Sequence, residues 1–309
     1  MKPRLSLSFA DFWPGFVPAS SYFVRTLATR FQVELDERPQ YLLYSVFGHA
    51  HRDHRGIRIF YTGENVRPDF AACDYALGFE HLAHPRYCRL PLYVLFLEGH
   101  PELLVKPPGF DAESVLRQKT KFCSFVYSNP RARRRLRFFE KLSRYKPVDA
   151  GGALRNNVGG KVADKLAFLR DYKFTIAFEN SSAPGYTTEK LIDAMRVHSL
   201  AIYWGNPEVH RDFNPRSFLN AHEFPSDDAL IERIMELDRD DKRYLEYLRQ
   251  PYFHDNRSNR YCRPEHLLDF FSRIVEDRRT PVAQQPWLTR LPAALGAGLR
   301  GLKDRWRRR

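Results

Sequence analysis

Long apolar runs are missing from this chain of 309 residues. No window approaches the roughly 18 consecutive apolar residues that a membrane-spanning helix needs. The first residues, MKPRLSLSFADFWPGF, contain no apolar stretch of the length found in a secretory signal. These absences argue against an integral membrane protein and against a secreted one. The sequence therefore predicts a soluble protein that stays inside the cell.

Cysteine is also scarce. None of the cysteines forms a C-x-x-C pair, which argues against a zinc ribbon and against a thioredoxin-type redox motif. In a chain of this size we expect reduced and mostly buried thiols. There are four of them, Cys73, Cys88, Cys123 and Cys262.

Hydrophobic and aromatic residues are plentiful, at 43% and 14%, so a packed core is expected and wholesale disorder is not. The length favours two domains. The formal net charge of +13 fits nucleic acid, an anionic membrane or a phosphorylated substrate equally well. Six of the excess charges come from residues 287–309, where seven Lys or Arg face only Asp304.

Strand-like and helix-like segments alternate along the chain, which predicts an α/β fold with functional residues at strand ends. Lys146–Gly152, with a proline and two glycines, reads as a linker between two such domains. The strand-like segments have alternating or continuous apolar residues and are Arg4–Phe9, Tyr41–Phe47, Ile57–Tyr61, Phe122–Tyr127, Phe174–Phe178 and Leu200–Trp204.

The segment of residues 172–190, YKFTIAFENSSAPGYTTEK, has features that suggest a phosphosugar-binding site. A strand ends in Glu179 and Asn180, and a helix then begins, capped by Thr187 or Thr188. The free N–H groups and dipole of a helix start favour an anion, and Lys190 adds a full positive charge there.

Two neighbours of Lys190 add groups that suit a sugar. Glu189 can accept hydrogen bonds from sugar hydroxyls, and Tyr186 offers a ring face and a hydroxyl. An equally simple interpretation is a capped amphipathic helix with an exposed Glu and Lys, because such helix starts are common. The local chemistry alone leaves both interpretations open.

A wider resemblance bears on this choice. The stretch YKFTIAFENSSAPGYTTEKLIDAMRVHSLAIYWGNPEV resembles the donor-binding signature of the α-1,3/4-fucosyltransferase family: a strand ending in F-E-N, a loop, Y-x-T-E-K, a helix and a second strand. Other blocks match too. They are residues 59–94, Ser128-Asn129 with Arg135 and Phe138-Phe139, Gly151–Asn156 and Asp212–Pro215, so that the resemblance spans about residues 40–275.

The resemblance implies a GT-B type glycosyltransferase with two Rossmann-like domains. It places an acceptor-binding domain at residues 1–145 and a GDP-fucose-binding domain at residues 151–280. By the same resemblance, Glu64 is the general base. Arg155 and Lys190 would hold the pyrophosphate, while Asn180, Tyr186 and Glu189 would contact the ribose or the fucose.

The implied reaction moves L-fucose from GDP-fucose to a glycan hydroxyl with inversion. The implied acceptor is O3 of N-acetylglucosamine in N-acetyllactosamine, within an oligosaccharide or lipopolysaccharide. Inversion needs one direct displacement, so a carboxylate must take the proton of the attacking hydroxyl. Arg155, Lys190 and the helix start would stabilise the departing GDP, so neither a metal nor another cofactor is expected.

Two other functions compete with this one. The spacing His49-Ala50-His51-Arg52-Asp53-His54 is that of a two-zinc hydrolase, but the further G-H-x-x-G-H element of such enzymes is missing. The basic run formed by Arg131, Arg133, Arg134, Arg135 and Arg137 could bind nucleic acid, but no aromatic-basic RNA signature accompanies it, so no nucleic-acid partner is expected.

The string Asp238-Arg239-Asp240-Asp241 contains a D-x-D pattern, which we interpret as an exposed helix face rather than a metal site. In the tail, residues 287–309, leucines recur at three- and four-residue steps between basic residues, from Leu288 to Trp306. This pattern predicts an amphipathic helix on an anionic membrane, at the cytoplasmic face of the cell membrane. A disordered basic tail is the alternative.

Overall fold

The structure, a computed structural model, describes residues 1–285. In chain order its strands are β1 (Arg4–Ala10), β2 (Gln32–Leu35), β3 (Tyr41–Tyr44), β4 (Ile57–Tyr61), β5 (Tyr75–Gly78), β6 (Tyr87–Arg89), β7 (Lys121–Phe125), β8 (Val148–Ala150), β9 (Tyr172–Phe178), β10 (Leu200–Trp204) and β11 (Leu219–Asn220). Its α-helices are α1 (Tyr22–Leu27), α2 (Leu92–Phe96), α3 (Ala112–Gln118), α4 (Arg133–Leu142), α5 (Lys165–Leu169), α6 (Glu189–Arg196), α7 (Asp227–Arg239), α8 (Asp241–Arg249) and α9 (Pro264–Glu276).

Within the described residues, the first compact unit comprises residues 1–90 and 264–285. Its six strands form one parallel sheet in the order β2-β1-β3-β4-β5-β6. All residues of β3 and β4 are buried, as expected for central strands of a parallel sheet covered on both faces. Helix α9 belongs to this unit because its apolar face packs against α1 and the ring of Phe270 lies 6.0 Å from that of Tyr75.

The second unit comprises residues 91–263 and contains a five-stranded parallel sheet in the order β11-β10-β9-β7-β8. All seven residues of β9 are buried. Helix α4 covers one face of this sheet, where Phe138 lies 4.8 Å from Phe178 and Phe139 lies 4.6 Å from Phe125, measured between ring centroids. The α/β class with two parallel sheets, predicted from the alternating segments, is confirmed.

The predicted division into residues 1–145 and 151–280 differs from the division in the structure. Lys146–Gly152 does not link the units, because β8 lies within it and pairs with β7 in the second sheet. Its glycines serve close packing: a Cβ on Gly152 would stand 2.1 Å from the carbonyl oxygen of Tyr127. The chain also returns to the first unit at Pro264, which a linear division cannot represent.

Two other expectations can be compared with residues 1–285. All four cysteines are free and buried, as predicted. None of the helices in the described part of the chain is long and apolar enough to cross a membrane. The predicted amphipathic helix of residues 287–309 lies outside the described residues.

The contact at Gly152 generates a stability prediction. Gly152→Ala forces a Cβ against the backbone N, C and O of Tyr127, whose carbonyl also accepts a hydrogen bond from the Leu154 N–H at 2.9 Å. We expect a loss of about 1–3 kcal/mol or more in the free energy of unfolding, measured by urea denaturation. Gly151→Ala is the matched control, because its Cβ would meet only the side chains of Val162 and Phe168, at 2.9 and 3.0 Å. Equal stability of Gly152→Ala and the unmodified protein would contradict this account.

Candidate active site

The carboxyl end of β9 lies in the middle of the second sheet and carries Glu179 and Asn180. In open parallel sheets, ligands bind at this edge, beside the helix starts that follow the strands. Helix α6 begins at Glu189 after a short loop, so the strand end and the helix start predicted from residues 172–190 are confirmed. Thr188 is the N-cap residue, but its hydroxyl does not cap the helix.

Glu179 is completely buried and joins the strand end to the helix start. Its Oε1 accepts a hydrogen bond from the Thr188 N–H at 2.8 Å, and its Oε2 accepts one from the Thr188 hydroxyl at 2.7 Å. The ammonium of Lys190 lies 3.4 Å from the same Oε2. Burial raises the pKa of the Glu179 carboxyl, and the Lys190 charge and the Thr188 donors oppose that rise. A buried carboxylate therefore anchors the first turn of α6.

Lys190 lies between two carboxylates. Its Nζ is 3.0 Å from Oε1 of Glu189 and donates to the Thr188 hydroxyl at 3.0 Å, and only 12% of its side chain is exposed. Burial works to lower the pKa of the Lys190 ammonium, but Glu179 and Glu189 outweigh it and hold that pKa above the usual value. Burial likewise works to raise the pKa of Glu189, and Lys190 and Lys165 bring it below its usual value. Both groups are therefore ionised at neutral pH.

Arg135 reaches the same strand end from α4 and is 1% exposed. Its Nε and Nη2 donate to the Phe178 carbonyl at 3.2 and 2.8 Å, and Nη2 also donates to Oδ1 of Asn180 at 2.8 Å. The guanidinium stacks on the Tyr127 ring, 3.7 Å from its centroid. Within residues 1–285 no carboxylate pairs with this cation, and its buried Nη1 has no hydrogen-bond partner.

This contact fixes the orientation of the Asn180 amide. A guanidinium only donates hydrogen bonds, so the amide oxygen must face Arg135 and the Nδ2 group must point elsewhere. Asn180 therefore presents its Nδ2 group as a hydrogen-bond donor on the side away from Arg135. A buried unpaired cation and a fixed amide donor together favour an oxygen-rich anion at this edge.

The sequence prediction did not assign a role to Arg135. A usable signal was present: Arg135, Phe138 and Leu142 recur at the three- and four-residue steps of one helix face, and all three are buried. Asn206 was also missed. It is fully buried and holds the loop before α6, accepting from the N–H of Gly185 at 2.7 Å and donating to the Thr187 hydroxyl at 3.1 Å.

Two predicted donor-site residues are placed differently from the expectation. Arg155 is exposed and has a positive φ of 56°. Its guanidinium forms an ion pair with Glu140 at 2.5 Å, and not with a residue at the end of β9. The side chain of Tyr186 is 2% exposed, so its ring packs into the protein instead of presenting an open face. The structure thus brings Asn180, Glu189 and Lys190 to one place together with Arg135.

Glu64 lies in the first unit, in the turn that follows β4. The buried Thr62 hydroxyl accepts a hydrogen bond from the Glu64 N–H and donates one to the Glu64 carbonyl, both at 2.9 Å. The turn backbone is therefore fixed while the Glu64 side chain stays partly exposed. Glu64 and the donor-site candidates lie in different units.

The His-rich loop does not form the predicted alternative metal site. Nδ1 of His51 is bound to Asp11 at 2.6 Å, His49 is exposed, and Nε2 of His54 is buried without a partner. Across residues 1–285 there is no group of three or more His, Cys, Asp or Glu that could hold a metal ion.

Asp238 of the D-x-D string was predicted to lie on an exposed helix face, and this was wrong. Its side chain is 5% exposed, because it accepts hydrogen bonds from the Tyr145 hydroxyl and the Lys146 ammonium. Asp240 instead caps α8, accepting from the N–H groups of Lys242 and Arg243.

The basic run of α4 does not form one continuous exposed surface. Arg135 is buried, and Arg134 pairs with Asp227 at 2.8 Å and lies over the Trp204 ring, 5.1 Å from its centroid. Only Arg131, Arg133 and Arg137 are exposed. This arrangement gives no support to the nucleic-acid alternative.

Family models match both parts of the chain. The model of the α-(1,3)-fucosyltransferase FucT N-terminal domain matches residues 7–96. The model of the C-terminal part of glycosyltransferase family 10 (fucosyltransferase) matches residues 116–263. The end of the second match coincides with the end of the second unit at Arg263.

Individual proteins agree with the models. The α-(1,3)-fucosyltransferase FucT of Helicobacter pylori is 34% identical over 89% of this chain, which spans 66% of that protein's length. A crystal structure of an α1,3-fucosyltransferase with GDP-fucose is 32% identical, with a TM-score of 0.75 over 90% of this chain and 92% of the other. Alr3699/HepE of Anabaena, crystallised with UDP-glucose, is only 8% identical, with a TM-score of 0.54 over 88% of this chain and all of the other, and so shares the fold alone.

The buried ion pair generates a prediction on pH dependence. Lys190→Met removes the cation next to Glu179, so the folded protein must bury an uncompensated carboxylate at a cost of about 3–5 kcal/mol. That loss raises the pKa of Glu179 further in the folded state, so the folded protein holds a proton that the unfolded chain releases at neutral pH. The stability of Lys190→Met should therefore rise as the pH falls toward the unfolded pKa of a glutamate.

Urea denaturation of Lys190→Met between pH 5 and pH 8 measures this dependence of stability on pH. The range lies above about 4.3, the pKa of a glutamate in the unfolded chain, because the folded pKa is raised from that value. The matched control is Lys190→Met combined with Glu179→Gln, which removes the Glu179 charge and leaves Glu189 beside Lys165, so the part of the pH dependence that comes from Glu179 should disappear. A pH profile for Lys190→Met that runs parallel to the profile of the double variant would rule the explanation out.

Proposed function

The chain belongs to glycosyltransferase family 10, and we propose that it is a GDP-fucose-dependent α-1,3-fucosyltransferase that inverts the anomeric centre of the transferred fucose. The observation that carries this proposal is the buried Arg135 at the end of β9. It has an orphaned N–H and no carboxylate partner in residues 1–285, beside a fixed amide donor. A nucleoside diphosphate supplies the negative charge that such a site lacks.

Departure of GDP builds negative charge on the diphosphate, and fixed cations at that point lower the barrier. Arg135 is preorganised for this task, because three hydrogen bonds and the contact with the Tyr127 ring hold its buried guanidinium before any ligand arrives. Lys190 contributes a second cation, already shared between Glu179 and Glu189. Arg155, predicted for the same role, is kept as a weaker candidate because it is exposed and paired with Glu140.

The remaining donor-site candidates take roles that follow from their polarity. Asn180 donates from Nδ2, which suits an oxygen of the ribose or the diphosphate. Glu189 is ionised and 20% exposed at its side chain, so it accepts hydrogen bonds from ribose or fucose hydroxyls. Tyr186 is buried and supports the loop before α6, where its carbonyl accepts a hydrogen bond from the Tyr203 hydroxyl at 3.3 Å, and its contact with the ribose or the fucose stays a prediction.

Glu64 is the candidate general base. The acceptor hydroxyl is a poor nucleophile, and a carboxylate that removes its proton as the bond forms is the simplest way to one-step inversion. The Thr62 hydrogen bonds fix the turn that carries Glu64, while the partly exposed side chain can meet a glycan. For the acceptor we propose O3 of N-acetylglucosamine in N-acetyllactosamine, within an oligosaccharide or lipopolysaccharide.

A first test compares the two arginines. Arg135→Gln should weaken GDP binding about 10- to 100-fold, the loss expected for a hydrogen bond to a charged group. Arg155→Gln should have a smaller effect, because its charge is exposed and screened. Calorimetric titration with GDP measures both, and retained binding of guanosine shows that Arg135→Gln is still folded. The assignment fails if Arg155→Gln loses more GDP affinity than Arg135→Gln does.

A second test addresses the base. Glu64→Gln should lower fucose transfer about 10²- to 10⁴-fold and leave GDP affinity unchanged, because the nucleotide residues lie in the other unit. Transfer from labelled GDP-fucose to N-acetyllactosamine measures the effect. Glu37→Gln, an exposed glutamate of the same unit, is the control and should keep full activity. Undiminished transfer by Glu64→Gln would remove Glu64 from the mechanism.

A further inference from the structure

A carboxylate–imidazole pair lies at the carboxyl edge of the first sheet, outside the donor site. Asp11 directly follows β1, and His51 lies in the loop between β3 and β4. The distance from His51 Nδ1 to Asp11 Oδ2 is 2.6 Å. Because β1, β3 and β4 are neighbours in the sheet, their following loops meet at one edge, and the turn that carries Glu64 follows β4 at that same edge.

The Asp11 carboxylate is held by three hydrogen-bonding groups. Its Oδ1 accepts from the Ala50 N–H at 2.9 Å and its Oδ2 from the His51 N–H at 3.0 Å, in addition to the His51 ring. Asp11 adopts a φ of 58°, and Gly48 has no side chain where a Cβ would stand 2.4 Å from Oδ1. Burial works to raise the pKa of the Asp11 carboxyl, but the hydrogen bonds from His51 and Ala50 outweigh it and hold that pKa below the usual value.

An ionised Asp11 determines which nitrogen of His51 is available. The carboxylate can only accept, so Nδ1 of His51 carries the proton between them. The ring is further held by stacking on Tyr44, with 4.1 Å between centroids. Nε2 has no partner among residues 1–285 and remains open to solvent, since 14% of the side chain is exposed. In the neutral form of the ring, Nε2 is a hydrogen-bond acceptor whose direction Asp11 and Tyr44 fix.

A cap for the short 3-10 turn at Ala50–Asp53 would not require this arrangement. Such a cap needs only an acceptor for the N–H groups of Ala50 and His51 at the start of that turn, and any short side chain with an oxygen acceptor could provide one. The additional bond to the ring orients His51 and does nothing for the backbone. Orientation of an imidazole by a carboxylate is the device that enzymes use to aim Nε2 at a hydroxyl.

Aromatic side chains line the same edge. Phe12 stacks on Phe16 at 4.1 Å and on Tyr61, the last residue of β4, at 6.1 Å, and Trp13 packs edge-on against Phe16 at 5.1 Å. Trp13 is half-buried, so part of its ring faces outward. A pyranose presents both the C–H face that packs on such rings and the hydroxyls that an imidazole and a carboxylate bind.

We propose that the Asp11–His51 pair is a hydroxyl-binding element for the acceptor glycan, in which His51 Nε2 accepts a hydrogen bond from a sugar hydroxyl and Asp11 positions the ring. This inference rests on the proposed function and names the part of the first unit that recognises the acceptor. Glu64 removes the proton of the reacting hydroxyl, whereas His51 binds a second hydroxyl of the same glycan and takes no proton from it.

The test uses the full-length protein with GDP-fucose and N-acetyllactosamine as the acceptor. His51→Phe keeps the ring stack on Tyr44 and removes Nε2. It should raise the KM for N-acetyllactosamine about three- to tenfold, the effect of one lost hydrogen bond. The KM for GDP-fucose and the slow hydrolysis of GDP-fucose without acceptor should stay unchanged. Asp11→Asn, which tolerates the positive φ, should raise the acceptor KM similarly because the ring loses its orientation.

His100→Phe is the matched control, because His100 pairs with Glu102 at 2.8 Å in the same way but is exposed and lies in the second unit. It should leave both KM values unchanged. If His51→Phe does not fold, His51→Gln takes its place. The proposal is overturned if the acceptor KM of His51→Phe stays within twofold of that of the unmodified protein. It is also overturned if the variant loses stability and its donor KM and acceptor KM rise together. Absence of any transfer by the unmodified protein is a different result, which overturns the proposed function itself.

Discussion

The end of strand β9 is held by charged groups on both sides, and the candidate donor site depends on this clamp. On one side, Arg135 binds the carbonyl of Phe178 and the amide oxygen of Asn180. On the other side, Thr188 and Lys190 bind the buried carboxylate of Glu179. Three consecutive residues are thus fixed before a ligand arrives. Such preorganisation is what makes an electrostatic site effective, since no reorganisation is needed as charge develops.

The clamp also accounts for charges that would otherwise be costly. A buried carboxylate or guanidinium is expensive unless it is paired or hydrogen-bonded. Glu179 meets that condition through Lys190 and Thr188. Arg135 meets it only in part, because its Nη1 is left without a partner among residues 1–285. An anion at this edge would complete the arrangement, and a nucleoside diphosphate is the anion that the proposed reaction brings.

Much of the fold and part of the candidate donor site could be predicted from the sequence, and the predictions that were wrong or missing have physical reasons. Apolar runs that end at turn residues located β4 and β10 to the residue. The predicted boundary differs from the division in the structure because Gly151 and Gly152 resemble a linker, while Gly152 in fact allows the backbone just after β8 to pass close to Tyr127. Arg135 was matched to the family within a run of five arginines, but its role was missed, because only the helical phase of α4 shows that it is buried at the end of β9. Asp238 was misplaced because no sequence pattern shows that Tyr145 and Lys146, more than 90 residues away along the chain, bind its carboxylate.

A crystal structure of the protein with GDP bound would show directly whether Arg135 holds the diphosphate. We expect a diphosphate oxygen within hydrogen-bond distance of Arg135 Nη1, about 2.7–3.2 Å, with Asn180 still accepting from Nη2 through its Oδ1. A diphosphate bound to Arg155 instead, with Nη1 of Arg135 filled by a water molecule or still unpaired, would contradict this expectation.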